Sequence, residues 1–223
     1  MITLHHLNHS RSQRIIWLLE ELQLPYEIKL YERDPQTMLA PQSLLDIHPL
    51  GKSPVITDGE LTIAESGAII EYLVDTYDTA NALKPAAGTQ ERLDYVYWLH
   101  YAEGSLMPLL VMKLVFGRLS HPPMPLLLRP VATLISKGVQ RQYLDKQIKR
   151  HLDYLEKSLV GKTWFTGESL SAADIQMCFP LETIALRGGL HDYPRLENFV
   201  KASQERPAYV KAREKGGSFE FLR

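Results

Sequence analysis

The chain has 223 residues, of which 45% are hydrophobic and 23% charged, a composition typical of a globular protein with one large or two small domains. Its formal net charge of -1 gives no electrostatic support to a nucleic-acid partner, which is therefore not expected. No secretory leader pattern precedes the strand pattern at Ile2, and the most apolar stretch, 106–116, is shorter than the about 20 residues of a bilayer span. A single cysteine, Cys178, fits a reducing compartment, so we expect a cytoplasmic protein with no membrane span.

The first 77 residues alternate strand and helix patterns. The segments MITLHHL and YEIKLY have the two-residue periodicity of strands, and the helical stripe between them ends before Pro25. Further on, VIT and LTI flank a turn at Asp58 and Gly59, as in an antiparallel hairpin, and a helix is predicted at 66–77. This order, with a right-handed crossover between the first two strands, predicts a small thioredoxin-like sheet.

The rest of the chain has helical patterns almost throughout. Segment 78–88, DTANALKPAAG, lacks periodicity and is the predicted linker. Long helical patterns follow at 89–116 and 131–159, separated by the prolines of SHPPMP. The segment LSAAD then predicts a helix that opens with a capping box of Ser171 and Asp174, and two shorter helices follow it.

The pattern as a whole predicts an α/β domain at 1–80 and an all-α domain at 88–223. Five stretches, in this order, resemble the cytosolic glutathione S-transferases, most closely the serine-type fungal and bacterial members: HSRSQRIIWLLEELQLPYE, HPLGKSPVI, AESGAIIEYL, YAEGSLMP and LSAADIQMCFPL. The resemblance implies a thioredoxin-like glutathione-binding domain followed by a helical domain that contributes the electrophile site. It also implies a homodimer, in which Glu103 or Asp94 would reach the partner's ligand.

The sulfur of the reaction must come from a ligand rather than from the protein. A thioredoxin-like fold that lacks its cysteine pair cannot perform dithiol exchange, and Cys178 lies in the helical half without a second cysteine. Glutathione, with two carboxylates, one ammonium and a thiol, is such a ligand. The resemblance therefore implies glutathione as a co-substrate, with no further cofactor and no metal.

Ser10 lies where the first strand pattern ends and the first helix pattern begins. Ser10 and Gln13 have the spacing of a capping box, so the simplest interpretation is that Ser10 caps the helix. The resemblance implies a catalytic role: the hydroxyl, beside the positive end of the helix, would donate to the glutathione sulfur and favour the thiolate. Ser12 is a rival donor. A tyrosine donor is excluded, because His5 and His6 occupy the end of the first strand.

The resemblance also implies residues for the two ends of glutathione. At the start of the helix at 66–77, the Ser66 amide and hydroxyl would bind the γ-glutamyl carboxylate, and Glu65 would pair with the ammonium. The simpler interpretation makes Ser66 an N-cap and Glu65 a solvated acid.

The segment KSPV supplies the other glutathione contacts. By resemblance, Pro54 would be a cis proline that frees the Val55 backbone to bond the cysteinyl residue. Lys52 would pair with the glycyl carboxylate, and His48 is a weaker candidate for the same role. An ordinary trans proline and a solvated lysine are the alternatives.

The electrophile pocket is predicted between the loop after the first strand and the first long helix. We expect His9 on the loop side and, on the helix side, an adaptable stripe of Tyr101, Met107, Leu110, Met112 and Phe116. Asp174 is assigned to folding rather than to catalysis. Arg11 and Arg14 are expected to face solvent or to bridge the two domains.

The leading functional hypothesis is an enzyme that joins the glutathione thiolate to hydrophobic electrophiles or uses it to reduce organic hydroperoxides. The alternative is a non-catalytic glutathione-binding or protein-interaction module with the same fold. A glutathione-dependent disulfide reaction fits less well, because position 10 holds serine rather than cysteine.

Overall fold

The structure is a computed structural model that describes residues 1–217. The segment 218–223, which belongs to the predicted helical domain, lies outside the described residues. The elements of the first part are the strands β1 (Ile2–Leu7), β2 (Tyr26–Tyr31), β3 (Val55–Asp58) and β4 (Leu61–Ala64) and the helices α1 (Gln13–Glu21), α2 (Gln42–Leu45) and α3 (Ser66–Tyr77).

The four strands form one sheet in the order β2-β1-β3-β4. Strands β1 and β2 are parallel and joined by α1, whereas β3 pairs antiparallel with both β1 and β4. The hairpin is confirmed, but its turn lies one residue later than predicted, because Asp58 pairs with Leu61 and leaves Gly59 and Glu60 as the loop. The helix predicted at 66–77 has those bounds.

The second part is helical, as predicted. Its helices are α4 (Gln90–Tyr101), α5 (Met107–Arg118), α6 (Arg129–Val139), α7 (Asp145–Ser158), α8 (Ala172–Ala185), α9 (Pro194–Gln204) and α10 (Pro207–Gly216). A π-helical turn, Ala102–Leu106, joins α4 to α5, and a second one, Gln140–Leu144, joins α6 to α7. The two long helical patterns of the sequence therefore each form a pair of helices that continue through a π turn.

The predicted linker 78–88 contains no helix or strand, but it is anchored at both ends. The carboxylate of Asp78 accepts hydrogen bonds from the amides of Ala82 and Leu83. The ammonium of Lys84 pairs with Glu71 and Asp75 of α3. These contacts are compatible with a domain boundary here, and the bounds 1–80 and 88–223 stay a prediction.

Helix α8 is the centre of the core. Every residue from Ala172 to Ile184 is buried, and α8 packs against α4, α9 and α1. The capping box at its start is confirmed: the Asp174 carboxylate accepts bonds from the Ser171 amide at 2.8 Å and from the Phe165 amide at 2.7 Å. The core thus joins the α/β part to the helical part through one buried helix.

Candidate functional site

A cavity of about 480 Å³ opens where the two parts meet. One side is formed by the loop after β1 and by the segment before β3, and the other by α5 and α8. The polar residues that line it are His9, Ser10, Arg11, Arg33, Lys52 and Ser53, and the apolar ones are Leu7, Met38, Leu39, Ala40, Leu45, Leu50, Met107, Val111, Leu114 and Phe179. The lining therefore combines cationic groups, which would attract anions, with an apolar wall.

A chain of short hydrogen bonds leads from the cavity into the protein, beginning at Ser10. Ser10 Oγ lies 2.6 Å from Ser12 Oγ, and Ser12 Oγ lies 2.6 Å from Nδ1 of His6. The other ring nitrogen of His6, Nε2, lies 3.0 Å from the carbonyl oxygen of Gly216. All three side chains are buried, and Ser10 is the one that lines the cavity.

The structure corrects the interpretation of Ser10 as a helix cap. Helix α1 begins at Gln13, its N-cap residue is Ser12, and no side chain caps its first turn. Gln13 instead donates from Nε2 to the carbonyl of Ala212 in α10, at 2.8 Å. The predicted capping box is absent because Gln13 bonds the Ala212 carbonyl, while the Ser10 hydroxyl bonds the neighbouring Ser12.

The rival donor, Ser12, is enclosed within the protein. It has no exposed surface, and its hydroxyl lies between His6 and Ser10. Since Ser12 does not line the cavity, a ligand in the cavity meets the Ser10 hydroxyl first.

Arg11 and Arg14 bridge the α/β part to the helical part, one of the two roles expected for them. Arg11 Nε lies 2.9 Å from Glu103 Oε2, and Arg14 Nη1 lies 2.9 Å from Glu103 Oε1. Burial lowers the pKa of Arg14 to about 10, so it stays protonated at neutral pH, with its guanidinium 4.6 Å from the ring centroid of Phe179. One carboxylate therefore faces two cations, and positive charge remains near the cavity floor.

The two acids expected to reach a partner subunit have partners within their own chain. Glu103 holds Arg11 and Arg14. Asp94 accepts a hydrogen bond from Gln90 and lies 3.6 Å from Lys162 Nζ. A reach across a dimer would require either acid to leave these contacts.

The segment before β3 lies beside the cavity and includes the predicted Lys52. Lys52 and Ser53 line the cavity, and the Ser53–Pro54 peptide bond is cis, as the resemblance implies. Val55 is the first residue of β3 and is paired with β1 and β4, with its side chain fully buried. His48 does not line the cavity, and its Nδ1 accepts from the amide of Leu50 at 3.5 Å.

Glu65 and Ser66 lie at the start of α3 and do not line this cavity. Glu65 has a left-handed backbone, with φ of 72°, a conformation uncommon for residues other than glycine and often found at functional sites. The Ser66 hydroxyl is buried and accepts a hydrogen bond from Nε2 of Gln176, at 3.1 Å. Gln176, on α8, was not identified from the sequence, because nothing in the local pattern links it to a residue 110 positions earlier.

Of the residues predicted for the electrophile pocket, His9 and Met107 line the cavity, whereas Tyr101 does not. Tyr101 is buried among Trp98 and Tyr154, and its hydroxyl is hydrogen-bonded to Nδ1 of His151. The π turn that follows Tyr101 has more residues per turn than an α-helix, so the helical periodicity does not continue from Tyr101 into α5.

The same shift corrects the rest of the predicted stripe. Helix α5 presents Met107, Val111 and Leu114 to the cavity, at the i, i+4 and i+7 spacing of one helix face, whereas Leu110, Met112 and Phe116 do not line it. Phe179 and Arg33, which do, were missed. Phe179 belongs to a helix that is buried all round, and Arg33 lies in a segment without periodicity, so neither gave a sequence signal.

Residues 1–217 contain neither a metal-binding cluster nor a membrane-spanning helix. This part of the chain contains no cluster of three or more His, Cys, Asp or Glu side chains that could hold a metal ion. It also has no helix long and apolar enough to cross a bilayer. Burial raises the pKa of the Cys178 thiol well above its ordinary value, which keeps it protonated and unreactive.

Two family models match the chain. The model described as glutathione S-transferase, N-terminal domain, matches residues 1–75, and the model described as glutathione S-transferase, C-terminal domain, matches residues 129–213. Together they include the four strands, α1 and α8, whereas α5 lies between the two matched ranges.

Individual proteins agree with this assignment. Glutathione S-transferase 3 of Schizosaccharomyces pombe is 39% identical over 218 residues, which cover 96% of this chain and 88% of that protein. A crystal structure of a glutathione S-transferase from Actinobacillus pleuropneumoniae has a TM-score of 0.82 and 39% identity and covers 99% of this chain and 95% of that one. A glutathione transferase from Phanerochaete chrysosporium, in complex with oxidized glutathione, has a TM-score of 0.77 and 26% identity, with 96% of each chain covered. The fold, the cavity at the meeting of its two parts and these relatives together make this chain an enzyme of the glutathione S-transferase family.

Proposed function

We propose that this enzyme activates the thiol of glutathione as a thiolate in the cavity and that Ser10 is the hydrogen-bond donor to the sulfur. The observation that carries the proposal is the position of Ser10: it lines the cavity beside Arg11, immediately before α1 begins. A free thiol has a pKa of about 8.5 and is mostly protonated at neutral pH, so an enzyme must favour the anion. A hydroxyl donor, a helix N-terminus and nearby cations all act in that direction.

Glutathione is proposed to lie along the segment before β3. Lys52 lines the cavity and would pair with the glycyl carboxylate, with His48 as a second candidate. The Val55 backbone would bond the cysteinyl residue, next to the cis Pro54. Bound oxidized glutathione in the Phanerochaete relative supports this ligand for the present chain.

The γ-glutamyl end is proposed to reach the start of α3. There the amide of Ser66 points out of the first helical turn, where an anion is favoured, and Glu65 would pair with the ammonium. The Ser66 hydroxyl accepts from Gln176 and keeps its own hydrogen for a carboxylate.

The second substrate is proposed to be a hydrophobic electrophile, with organic hydroperoxides as a further class. It would lie against His9 and the apolar wall of Met107, Val111, Leu114 and Phe179. We also propose that the enzyme acts as a cytoplasmic homodimer.

Replacing the donor tests this proposal. The variant Ser10→Ala should lose about 100-fold in conjugation of a chlorodinitrobenzene acceptor at about pH 6.5 and much less at about pH 9. Without the donor, the pKa of the bound thiol should rise by about two units, which lowers the thiolate fraction mainly at pH values below that pKa. Ultraviolet absorption of the bound thiolate should show the same shift, and cumene hydroperoxide would test the peroxidase reaction.

A matched control is Ser158→Ala, which removes a hydroxyl that donates to the carbonyl of Tyr154 within α7 and does not line the cavity. Its rates should equal those of the unaltered enzyme. An equal loss at both pH values for Ser10→Ala would assign Ser10 to positioning instead. Glutathione binding without turnover in the unaltered protein would favour a binding module.

A further inference from the structure

The direction of the hydrogens beneath Ser10 follows from the two ends of the hydrogen-bonded chain. The Gly216 carbonyl can only accept, so Nε2 of His6 carries a hydrogen, and in the neutral ring Nδ1 must then accept. Ser12 therefore donates to His6, and Ser10 donates to Ser12. In this state the hydrogen of Ser10 points away from the cavity.

Donation from Ser10 to a sulfur requires every hydrogen in the chain to reverse. Two hydroxyl oxygens 2.6 Å apart need a hydrogen between them, so Ser12 must donate to Ser10 once Ser10 turns toward the cavity. The 2.6 Å contact between Ser12 and His6 then needs its hydrogen from Nδ1. A ring with hydrogens on both nitrogens is an imidazolium.

We propose that His6 receives the proton of the glutathione thiol through Ser10 and Ser12. The S–H bond breaks and its proton moves to Ser10 Oγ, while the hydrogen of Ser10 moves to Ser12 Oγ and the hydrogen of Ser12 moves to Nδ1 of His6. The products are a thiolate and an imidazolium, and both hydroxyls now donate toward the sulfur. This inference rests on the proposed function, because it requires the sulfur to lie beside Ser10.

The surroundings of His6 favour a neutral ring in the free enzyme and a doubly protonated ring only while the thiolate is bound. Burial lowers the pKa of His6, and the nearby His9 acts in the same direction, whereas the bond to the Gly216 carbonyl raises it. His6 should therefore be neutral in the free enzyme. A thiolate two hydroxyls away offsets the burial, because opposite charges attract strongly in a partly dehydrated site.

The last turn of α10 is built tightly against this network. A Cβ on Gly216 would lie 2.1 Å from Oε1 of Gln13 and 2.7 Å from Cδ1 of Ile16, so a larger residue here would require the ends of these two side chains to move. Gln13 fixes the contact further through its bond to the Ala212 carbonyl. The carbonyl that orients His6 is therefore held by a helix about 200 residues away in sequence.

Nitrogen NMR of the His6 ring tests the inference directly. We expect the neutral form with a hydrogen on Nε2 in the free enzyme and with S-methylglutathione, which has no thiol proton, and the doubly protonated form with glutathione. A neutral His6 in the glutathione complex, while ultraviolet absorption shows the thiolate, would overturn the inference, and the pH dependence of Ser10→Ala would then test the role of Ser10 separately. Absence of the thiolate would overturn both.

The variant His6→Asn supplies a second measurement. Asparagine bonds Ser12 but takes up no proton, so the variant should release the thiol proton to solvent when glutathione binds, whereas the unaltered enzyme should retain it. Calorimetry in buffers of different ionization enthalpy measures this release. Its conjugation rate at about pH 6.5 should fall at least about tenfold and recover at higher pH.

The matched control is His5→Asn on the same strand. His5 is also buried, but its ring bonds Tyr31 and Thr57 rather than the serines. Its proton release and thiolate pKa should match those of the unaltered enzyme. Equal proton release by His6→Asn and the unaltered enzyme would contradict the inference.

Discussion

Two helix starts in this enzyme share a sequence pattern but not a structure. Before α8, Ser171 and Asp174 form the capping box that their spacing predicts. Before α1, Ser10 and Gln13 have equivalent spacing, yet the helix starts after Ser12 and neither side chain caps it. The spacing of a serine and a polar residue three positions later is therefore necessary for this cap but does not ensure it.

The difference arises from what surrounds each pair. The Asp174 carboxylate is fully buried and has the amides of Phe165 and Ser171 as its available donors. At the other start, α10 packs on α1 and its Ala212 carbonyl accepts the Gln13 amide group. The hydroxyls of Ser10 and Ser12 are left to bond each other beside the cavity. One pair thus serves folding, and the other is available to a ligand.

The largest effect should come from removing the carboxylate of the true capping box. Asp174→Ala leaves three buried donors unpaired, the amides of Phe165 and Ser171 and the Ser171 hydroxyl, and should lower the free energy of unfolding by about 3–5 kcal/mol. Urea unfolding measures this. Asp153→Ala, which removes an acid at the surface, is the control and should change stability by less than about 1 kcal/mol.

The next effect is a pH dependence of the same helix start. Burial raises the pKa of Asp174 to about 6 from its ordinary value of 3.8, so the folded protein holds the proton more tightly than the unfolded chain. The stability that this proton contributes is fully present below pH 3.8 and is lost as the pH rises through about 6. The unfolding free energy of the unaltered protein minus that of Asp174→Asn should fall by up to about 3 kcal/mol across this range.

Unfolding curves for both proteins between about pH 4 and pH 6 would check this sign. A difference that stays constant or grows with pH would mean that the hydrogen bonds to the carboxylate outweigh its burial. Asp174 would then be ionised in the folded state throughout the range, with a pKa below its ordinary value.

The smallest effect compares the two serines directly. Ser171→Ala removes a helix cap and should lower the free energy of unfolding by about 1 kcal/mol with little change in activity. Ser10→Ala should change stability by about 0.5 kcal/mol or less, because Ser12 keeps its bond to His6, but it should lose activity. A Ser10→Ala protein as destabilised as Ser171→Ala would show that Ser10 is mainly structural.

Much of the fold follows from local patterns. Strands β1 and β2 and helix α3 lie where their periodicity and flanking residues predict, and the hairpin turn is displaced by one residue. These elements are short and amphipathic, so the spacing of apolar residues and the position of Pro25 are enough to place them.

The candidate site was predicted only in part. Ser10, Lys52 and Met107 line the cavity as expected, whereas Tyr101 faces His151 and an aromatic cluster. Its helix face changes at a π turn that no spacing of apolar residues indicates.

The sequence by itself determined the order of strands and helices, the pairing of Ser171 with Asp174 and the absence of a cysteine pair, because each depends on residues close together in the chain or on composition. The tertiary structure alone decided that Ser10 faces a cavity while Ser12 faces His6. That choice is made by α10, which supplies acceptors for Gln13 and His6 from about 200 residues away. Such long-range contacts depend on how whole helices pack, and local spacing carries no record of them.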